Sequence, residues 1–264
     1  MNFTFYKYHG TGNDFVMIDN RDERFSASTE QIAAICHRRF GIGADGLILL
    51  QNASEADFKM VYYNADGNQS TMCGNGGRCI AKFAHDLGFI HLEATFMAID
   101  GKHEAKIATN GIVSLKMIDT KKARQSHGAW FLDTGSPHHI APIDEVAKIN
   151  VVKAGRDLRN TYGTEGANIN FVEVNQSQLH VRTYERGVED ETFSCGTGVT
   201  AAALVAHQAG WIDTNSVAIH TPGGDLKVSF SASTDRTISA FSKSTISNGI
   251  SLSAKTVLIS FTAN

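Results

Sequence analysis

Three segments of this chain recur downstream of themselves at a nearly constant spacing. Gly12-Asn13-Asp14-Phe15-Val16 is matched by Gly135-Ser136-Pro137-His138-His139-Ile140, an offset of 123. Phe40-Gly41 and Gly46-Leu47-Ile48-Leu49-Leu50 are matched by Tyr162-Gly163 and Gly166-Ala167-Asn168-Ile169-Asn170-Phe171, offsets of 122 and 120. Cys73-Gly74-Asn75-Gly76 is matched by Cys195-Gly196-Thr197-Gly198, an offset of 122. One such match among glycine motifs would be chance. Three, in order and at one spacing, indicate two copies of a unit of about 120 residues. The first half is expected over residues 1–118 and the second over 119–249. The polar stretch Asp119-Thr120-Lys121-Lys122-Ala123-Arg124-Gln125-Ser126 reads as the linker. With 264 residues, 42% of them hydrophobic, the chain can bury a large core.

Within each copy a strand leads to the cysteine turn and a helix follows. Residues 60–63 and 179–184 have β-branched and aromatic strand composition. After the first turn, Ile80, Phe83, Ala84 and Leu87 fall on one helical face and Gly88 supplies the stop. After the second, residues 199–206 are apolar almost all round, so that helix must be wrapped by other elements. Short strand-like runs at 113–117, 217–220 and 227–230 complete the copies. The expected fold is α+β, each half a mostly antiparallel sheet around a central buried helix.

The composition excludes several classes. A formal charge of −3 gives no basic excess for nucleic acid. No apolar run approaches the roughly 18 residues of a membrane helix. Residues 1–6 lack a charged segment followed by an apolar one, so no secretory signal is expected. Four cysteines are too few for a disulfide scaffold and are expected as reduced thiols in the cytoplasm.

Cys73 and Cys195 stand in matched contexts. Asn75 and Thr197 are good N-cap residues, which puts each cysteine in the turn just before a helix N-terminus. Backbone N–H groups and the positive end of the helix dipole stabilise a thiolate there, lowering a Cys pKa from about 8.5 into roughly 3.5–7.5. A carboxylate could sit at the same amides. Inverting a stereocentre by proton transfer needs a base on one face of the carbon and an acid on the other. A symmetric thiol pair supplies both, with roles that swap. The expectation is therefore that the two sulfurs face each other across one small-molecule cleft. Cys36 and Cys79 lie in apolar helical runs and read as small core residues.

Taken together the motifs resemble the diaminopimelate epimerase family. The resembling segments run from His9-Gly10-Thr11-Gly12-Asn13-Asp14-Phe15 through Gly41-Ile42-Gly43-Ala44-Asp45-Gly46, Tyr63-Asn64-Ala65-Asp66-Gly67 and Met72-Cys73-Gly74-Asn75-Gly76-Gly77-Arg78. They continue through Asn168-Ile169-Asn170-Phe171-Val172, Tyr184-Glu185-Arg186-Gly187, Ser194-Cys195-Gly196-Thr197-Gly198 and Thr221-Pro222-Gly223-Gly224. The resemblance implies a cofactor-independent isomerase interconverting LL- and meso-diaminopimelate for lysine and peptidoglycan-precursor synthesis. It implies two pseudo-symmetric halves, with residues 250–264 returning as a strand to the first. Cys73 and Cys195 become the two bases. The amides of Gly74, Asn75, Gly196 and Thr197 would hold the reacting carboxylate. Asn13, Asn64, Asn168 and Arg186 would bind substrate, Arg186 taking the distal carboxylate through its bidentate fork. His138 and Glu185 are the expected polar partners of the thiols and the substrate ammonium, and a homodimer is implied. Ser136 stands where many members have Asn, and Gly46 where some have Gln.

Other readings carry less. Gly41-x-Gly43-x-x-Gly46 matches a dinucleotide fingerprint, but that motif needs a strand before it and a helix after, and here the order is reversed. No Cys-x-x-Cys pair supports zinc. His138-His139 is expected to have one bonded ring and one surface ring, and Glu189-Asp190-Glu191 to be a solvated turn. Two alternatives to the leading function remain: a proline-racemase-like enzyme on the same scaffold, and a thiol redox or binding protein with a Cys73–Cys195 disulfide.

Overall fold

In a computed structural model, residues 2–70, 72–232, 238–245 and 255–258 are described. The chain divides into two compact units: one is the chain up to Val113 with the segment that carries the last strand, the other is Ser114–Thr245. The first contains β1 (Asn2–Gly10), β2 (Asn13–Asp19), α1 (Thr29–Cys36), β3 (Gly46–Gln51), β4 (Phe58–Asn64), α2 (Gly74–Asp86), β5 (Glu93–Ala98) and β6 (Gly101–Ile107). The division falls within β7 (Ile112–Lys116). The second contains β8 (Arg124–Ser126), β9 (Ala129–Asp133), β10 (Pro137–Pro142), α3 (Val151–Asn160), β11 (Asn168–Asn175), β12 (Gln178–Glu185), β13 (Asp190–Thr192), α4 (Gly196–Gln208), β14 (Ser216–Thr221), β15 (Gly224–Ala232) and β16 (Ile238–Thr245).

The duplication extends from motifs to ladders. In the first unit β1–β2 is antiparallel, β2–β3 parallel, β3–β4 antiparallel, β4–β5 parallel and β5–β6 antiparallel. In the second, β9–β10, β10–β11, β11–β12, β12–β14 and β14–β15 repeat that alternation. Each parallel pair is bridged by a helix, because parallel neighbours need a crossover longer than a hairpin. The result is a mixed α+β fold. The last strand, β17 (Lys255–Leu258), runs antiparallel to β1, with Asn2 opposite Leu258 and Phe5 opposite Lys255. The rest of the expected 250–264 strand lies outside the described residues.

Both central helices have 13 residues. On α2, Cys79, Ile80, Phe83 and Ala84 are fully buried, and the helix packs against β1, β2, β3, β4 and β6. On α4, every residue from Val199 to Ala206 is buried against β9, β10, β11, β12, β15 and β16. The outer helices are conventional. Ser28 and Gln31 form a reciprocal capping box on α1, and Asn150 accepts from Lys153 N–H on α3. Cys36 closes α1 in the core, where burial pushes its thiol up to about 11, and burial raises Cys79 as well.

The expected linker is tethered. Ala123 exchanges both backbone hydrogen bonds with the Gln208 side chain, at 2.8 and 2.9 Å. Residues 124–126 form β8, paired with β9, and the Arg124 guanidinium lies 4.5 Å above the Phe131 ring. Cross-strand partners thus override the polar composition of this stretch. The histidine pair also departs from expectation. Successive β10 residues face opposite ways, yet both rings are buried: His138 points to Thr197 and Asn170, and His139 to the Tyr162 hydroxyl at 2.7 Å. Tyr162, from the turn after α3, covers what would otherwise be a surface ring.

Two predictions follow from this packing. A Cβ at Gly155 would lie 2.4 Å from Tyr184 Cβ, so α3 rests on β12 only because position 155 has no side chain. Gly155→Ala should destabilise the protein by about 1–3 kcal/mol in denaturant titrations, although alanine is the better helix former by about 1 kcal/mol. Burial lowers His138 to about 3, with a further push from the Arg186 charge, and lowers His139 to about 4. The unfolded rings take a proton near about 6.5, so below that value the unfolded chain binds more protons and stability falls with pH. The thermal midpoint should drop as pH is lowered from near 6.5 towards 4, and imidazole NMR should show neither ring titrating at neutral pH.

Candidate active site

Cys73 and Cys195 are themselves the N-cap residues of α2 and α4, with extended backbone, and neither makes a side-chain cap hydrogen bond. This corrects the expected capping by Asn75 and Thr197, which sit at the second helical position. The intrahelical ladders start at Gly77 N–H to Cys73 O, 2.8 Å, and Val199 N–H to Cys195 O, 2.9 Å. Each sulfur therefore stands beside the amides of a first turn, which helix geometry leaves without intrahelical acceptors.

In the first unit the structure gathers Asn13, Cys73 and Asn75. Cys73 Sγ is 3.5 Å from Asn13 Oδ1, and Asn75 Nδ2 donates to the same oxygen at 3.4 Å. Charged groups fix both amides. Asn13 Nδ2 donates to Asp45 Oδ2 at 2.9 Å, and Arg78 donates to Asn75 Oδ1. Asp45 is held by Arg38 at 2.6 Å, and Arg38 and Lys7 clamp Asp14 at 2.8 and 2.7 Å. The two cations hold the Asp14 carboxyl well below the usual range against the opposing effect of burial. Arg78 is fully buried at the start of α2, where burial lowers its pKa. Asn64 ends β4, opposite Gly46, and its N–H closes a turn onto Asn68 O at 3.0 Å.

In the second unit Cys195, Thr197, His138, Asn168, Ser136 and Arg186 are linked. Thr197 Oγ1 is 3.4 Å from Cys195 Sγ and 2.9 Å from His138 Nε2. Thr134 Oγ1 donates to Thr197 O at 2.9 Å and seats this turn. Asn168 Nδ2 donates to Ser136 Oγ at 2.9 Å, and Arg186 N–H donates to Asn168 Oδ1 at 2.8 Å. The residue that departs from the family pattern, Ser136, is thus bonded to one of the expected substrate residues. Arg186 Nη1 donates to Glu165 O at 2.7 Å and its side chain is exposed. Glu185 is the last residue of β12, opposite Asp190.

Sequence reasoning missed Asn170, Thr183, Thr134, Asp45 and Arg78. Arg78 left a signal: an arginine in the early turns of a helix opposes the dipole and needs a compensating acceptor. The neutral residues left none. The fingerprint Gly41-x-Gly43-x-x-Gly46 runs from the loop after α1 into the first residue of β3, the reverse of a dinucleotide turn. Among the described residues no group of three or more His, Cys, Asp or Glu could hold a metal ion, and no helix is long and apolar enough to cross a membrane. The acidic turn is ion-paired: Glu191 makes a two-pronged contact with Arg182 at 2.6 Å, and Glu189 contacts Arg159 at 3.1 Å.

The family model for diaminopimelate epimerase matches residues 5–118 and 130–245. A diaminopimelate epimerase of Flavobacterium psychrophilum is 53% identical over 229 residues, covering 85% of this chain and 90% of that one. One of Chlorobaculum tepidum is 43% identical over 237 residues, covering 86% and 92%. In fold, the chain is similar to a Bacillus anthracis phenazine biosynthesis protein of the PhzF family, with a TM-score of 0.73, 15% identity and coverage of 98% and 100%. A predicted epimerase of Pseudomonas aeruginosa gives 0.67 at 13% identity, covering 98% and 100%. The model's match across both copies of the repeat, with relatives of this identity aligned over most of the sequence, shows that the chain belongs to the diaminopimelate epimerase family.

Proposed function

We propose that this chain interconverts LL- and meso-diaminopimelate, with Cys73 and Cys195 as its two bases and no cofactor. The observation that carries the reading is the paired placement of the thiols: in a chain of this family, each caps a buried helix of the same length in a repeated ladder context. One sulfur, as thiolate, takes the α-hydrogen as a proton. The electron pair left on carbon delocalises into the carboxylate, whose growing charge is met by first-turn amides at Gly74, Asn75, Gly196 and Thr197. The other sulfur, as thiol, delivers a proton to the opposite face. Thiol and thiolate have then exchanged places, and the return reaction uses the reverse assignment.

On this reading Asn13, Asn64, Asn168 and Arg186 bind the substrate, Arg186 pairing with the distal carboxylate, and His138 and Glu185 serve the thiols and the ammonium. The two halves contribute one base each, and the enzyme works in the cytoplasm as a homodimer. The named relatives favour diaminopimelate over proline, and nothing favours the redox alternative.

The test is solvent exchange. Reduced protein incubated with LL-diaminopimelate in deuterated water should place deuterium on the inverted carbon, while proline and glutamate should stay unlabelled. Absent labelling together with a cleanly cycling Cys73–Cys195 dithiol would instead support the redox reading. Cys73→Ser and Cys195→Ser should each lower turnover by roughly 10²–10⁴, since an alcohol is a far weaker base near neutral pH. Near-normal epimerisation by either variant would remove that residue from the mechanism. Arg186→Lys should raise the Michaelis constant more than it lowers kcat, because a point charge replaces a bidentate fork. An unchanged constant would argue against distal-carboxylate recognition.

A further inference from the structure

Behind Cys195 lies a buried chain of polar side chains whose hydrogen-bond directions can be derived from its fixed end. Asn170 is fully buried on β11. Its Nδ2 lies 3.1 Å from His139 O and 3.3 Å from Asn168 O, two backbone carbonyls that can only accept. Its Oδ1 accepts from Thr183 Oγ1 at 2.9 Å. Rotating the amide by half a turn would set an oxygen against both carbonyls, so the orientation is determined. The same Nδ2 faces His138 Nδ1 at 3.1 Å. An NH2 group cannot accept, so His138 Nδ1 must be bare and the ring proton sits on Nε2. His138 Nε2–H then donates to Thr197 Oγ1, 2.9 Å away. With that lone pair used, the Thr197 hydroxyl hydrogen is available to point at Cys195 Sγ, 3.4 Å away.

We propose that Asn170 is a positioning residue that acts through His138 and Thr197 to present a hydrogen-bond donor to the Cys195 sulfur, poising this thiol for the base role. The inference rests on the epimerase reading for its catalytic meaning, but its physical content concerns the free protein alone. A hydrogen bond to the charged form of an acid favours that form. Neutrality of the ring supports the direction of the relay, since a doubly protonated His138 would turn a proton towards the Asn170 amide. The glycine at 198 permits the stacking. A Cβ there would lie 2.4 Å from Asn170 Oδ1 and 3.3 Å from both Cys195 Cβ and His138 Cε1. Among the strands packed against α4, β10 brings His138 and His139, β9 ends in Asp133, and β12 ends in Glu185 and leads to Arg186. The remaining members, Asn170, Thr183, Thr134 and Thr197, do not titrate. His207 lies at the opposite end of the helix.

The contrast with Cys73 supplies an internal control. Its sulfur faces the Asn13 carbonyl oxygen, which can only accept, with Arg78 the nearby cation.

The test reads each thiol separately, without substrate, by the pH dependence of alkylation followed by peptide mass spectrometry. Thr197→Val removes the donor at nearly constant shape and should cut the thiolate fraction of Cys195 about tenfold or more at neutral pH. Thr197→Ser should restore it, and Cys73 should titrate as in the parent in both. Asn170→Asp places an acceptor opposite His138 Nδ1, draws the proton there and should move Cys195 in the same direction. Nitrogen-15 NMR of the unmodified protein decides the case independently of any variant's folding: His138 should be the Nε2–H tautomer. An Nδ1–H tautomer, or a Cys195 midpoint unmoved by Thr197→Val, would overturn the proposal. Loss of deuterium exchange with the relay intact would instead count against the epimerase reading alone.

Discussion

A helix walled by a sheet can satisfy its first-turn amides only at its end, not through its flanks. α2 and α4 are walled in this way, with exposed residues (Asp86, Gln208) in their last turns, because Ile80, Phe83 and Ala84 on one, and Val199 to Ala206 on the other, are removed from solvent. Their sheets supply that cover but cannot supply acceptors to the first N–H groups. The outer helices meet the same need with the side chains of Ser28 and Asn150. The central helices begin instead at cysteines that leave the amides to other partners. The local dipole thus serves whichever anion comes to the cap, be it the sulfur as thiolate or a carboxylate.

The neutral and charged residues around the two caps then do different work. At Cys73 the orientation of the amides is imposed by ions: Asp45 at one end, Arg78 at the other, with Arg38, Asp14 and Lys7 behind. At Cys195 it is imposed by backbone carbonyls, through Asn170. Two copies of one ladder have therefore kept the position of the thiol while diverging in how its surroundings are organised. On the proposed two-base reading this suits a pair of groups that differ in protonation, because identical settings would leave the choice of thiolate to the substrate alone.

How much of this was legible in the sequence depends on range. The duplication, the two buried helices and the thiols were visible because each is a local pattern: an apolar run, a stop glycine, a Cys-Gly-x-Gly turn. The caps lie two residues earlier than the residue types suggest. Asn75 and Thr197 are good capping types, and whether Cys73 or Asn75 leaves the helical conformation is decided by how the turn seats in its sheet. The burial of His139 was hidden because the residue that covers it, Tyr162, is 23 positions away. Asn170 was hidden for the same reason: its partner His138 is 32 positions away, and a neutral amide carries no charge or periodicity to mark it. The stretch 119–126 looked like solvent-facing chain, yet Phe131 and Gln208 hold its second half in place.

The pairing of β17 with β1 bears on how the molecule is made. Residues Tyr6 to Gly10 of β1 find their ladder in β2, a few residues ahead, whereas Asn2 to Phe5 pair with Lys255 to Leu258. On a ribosome, the second unit's ladders are all synthesised before that partner emerges. During that interval the start of β1 lacks this hydrogen-bonding neighbour, a condition that invites pairing with foreign strands. For this edge a segment made before the second unit waits for a partner made after it, so its ladder is closed late.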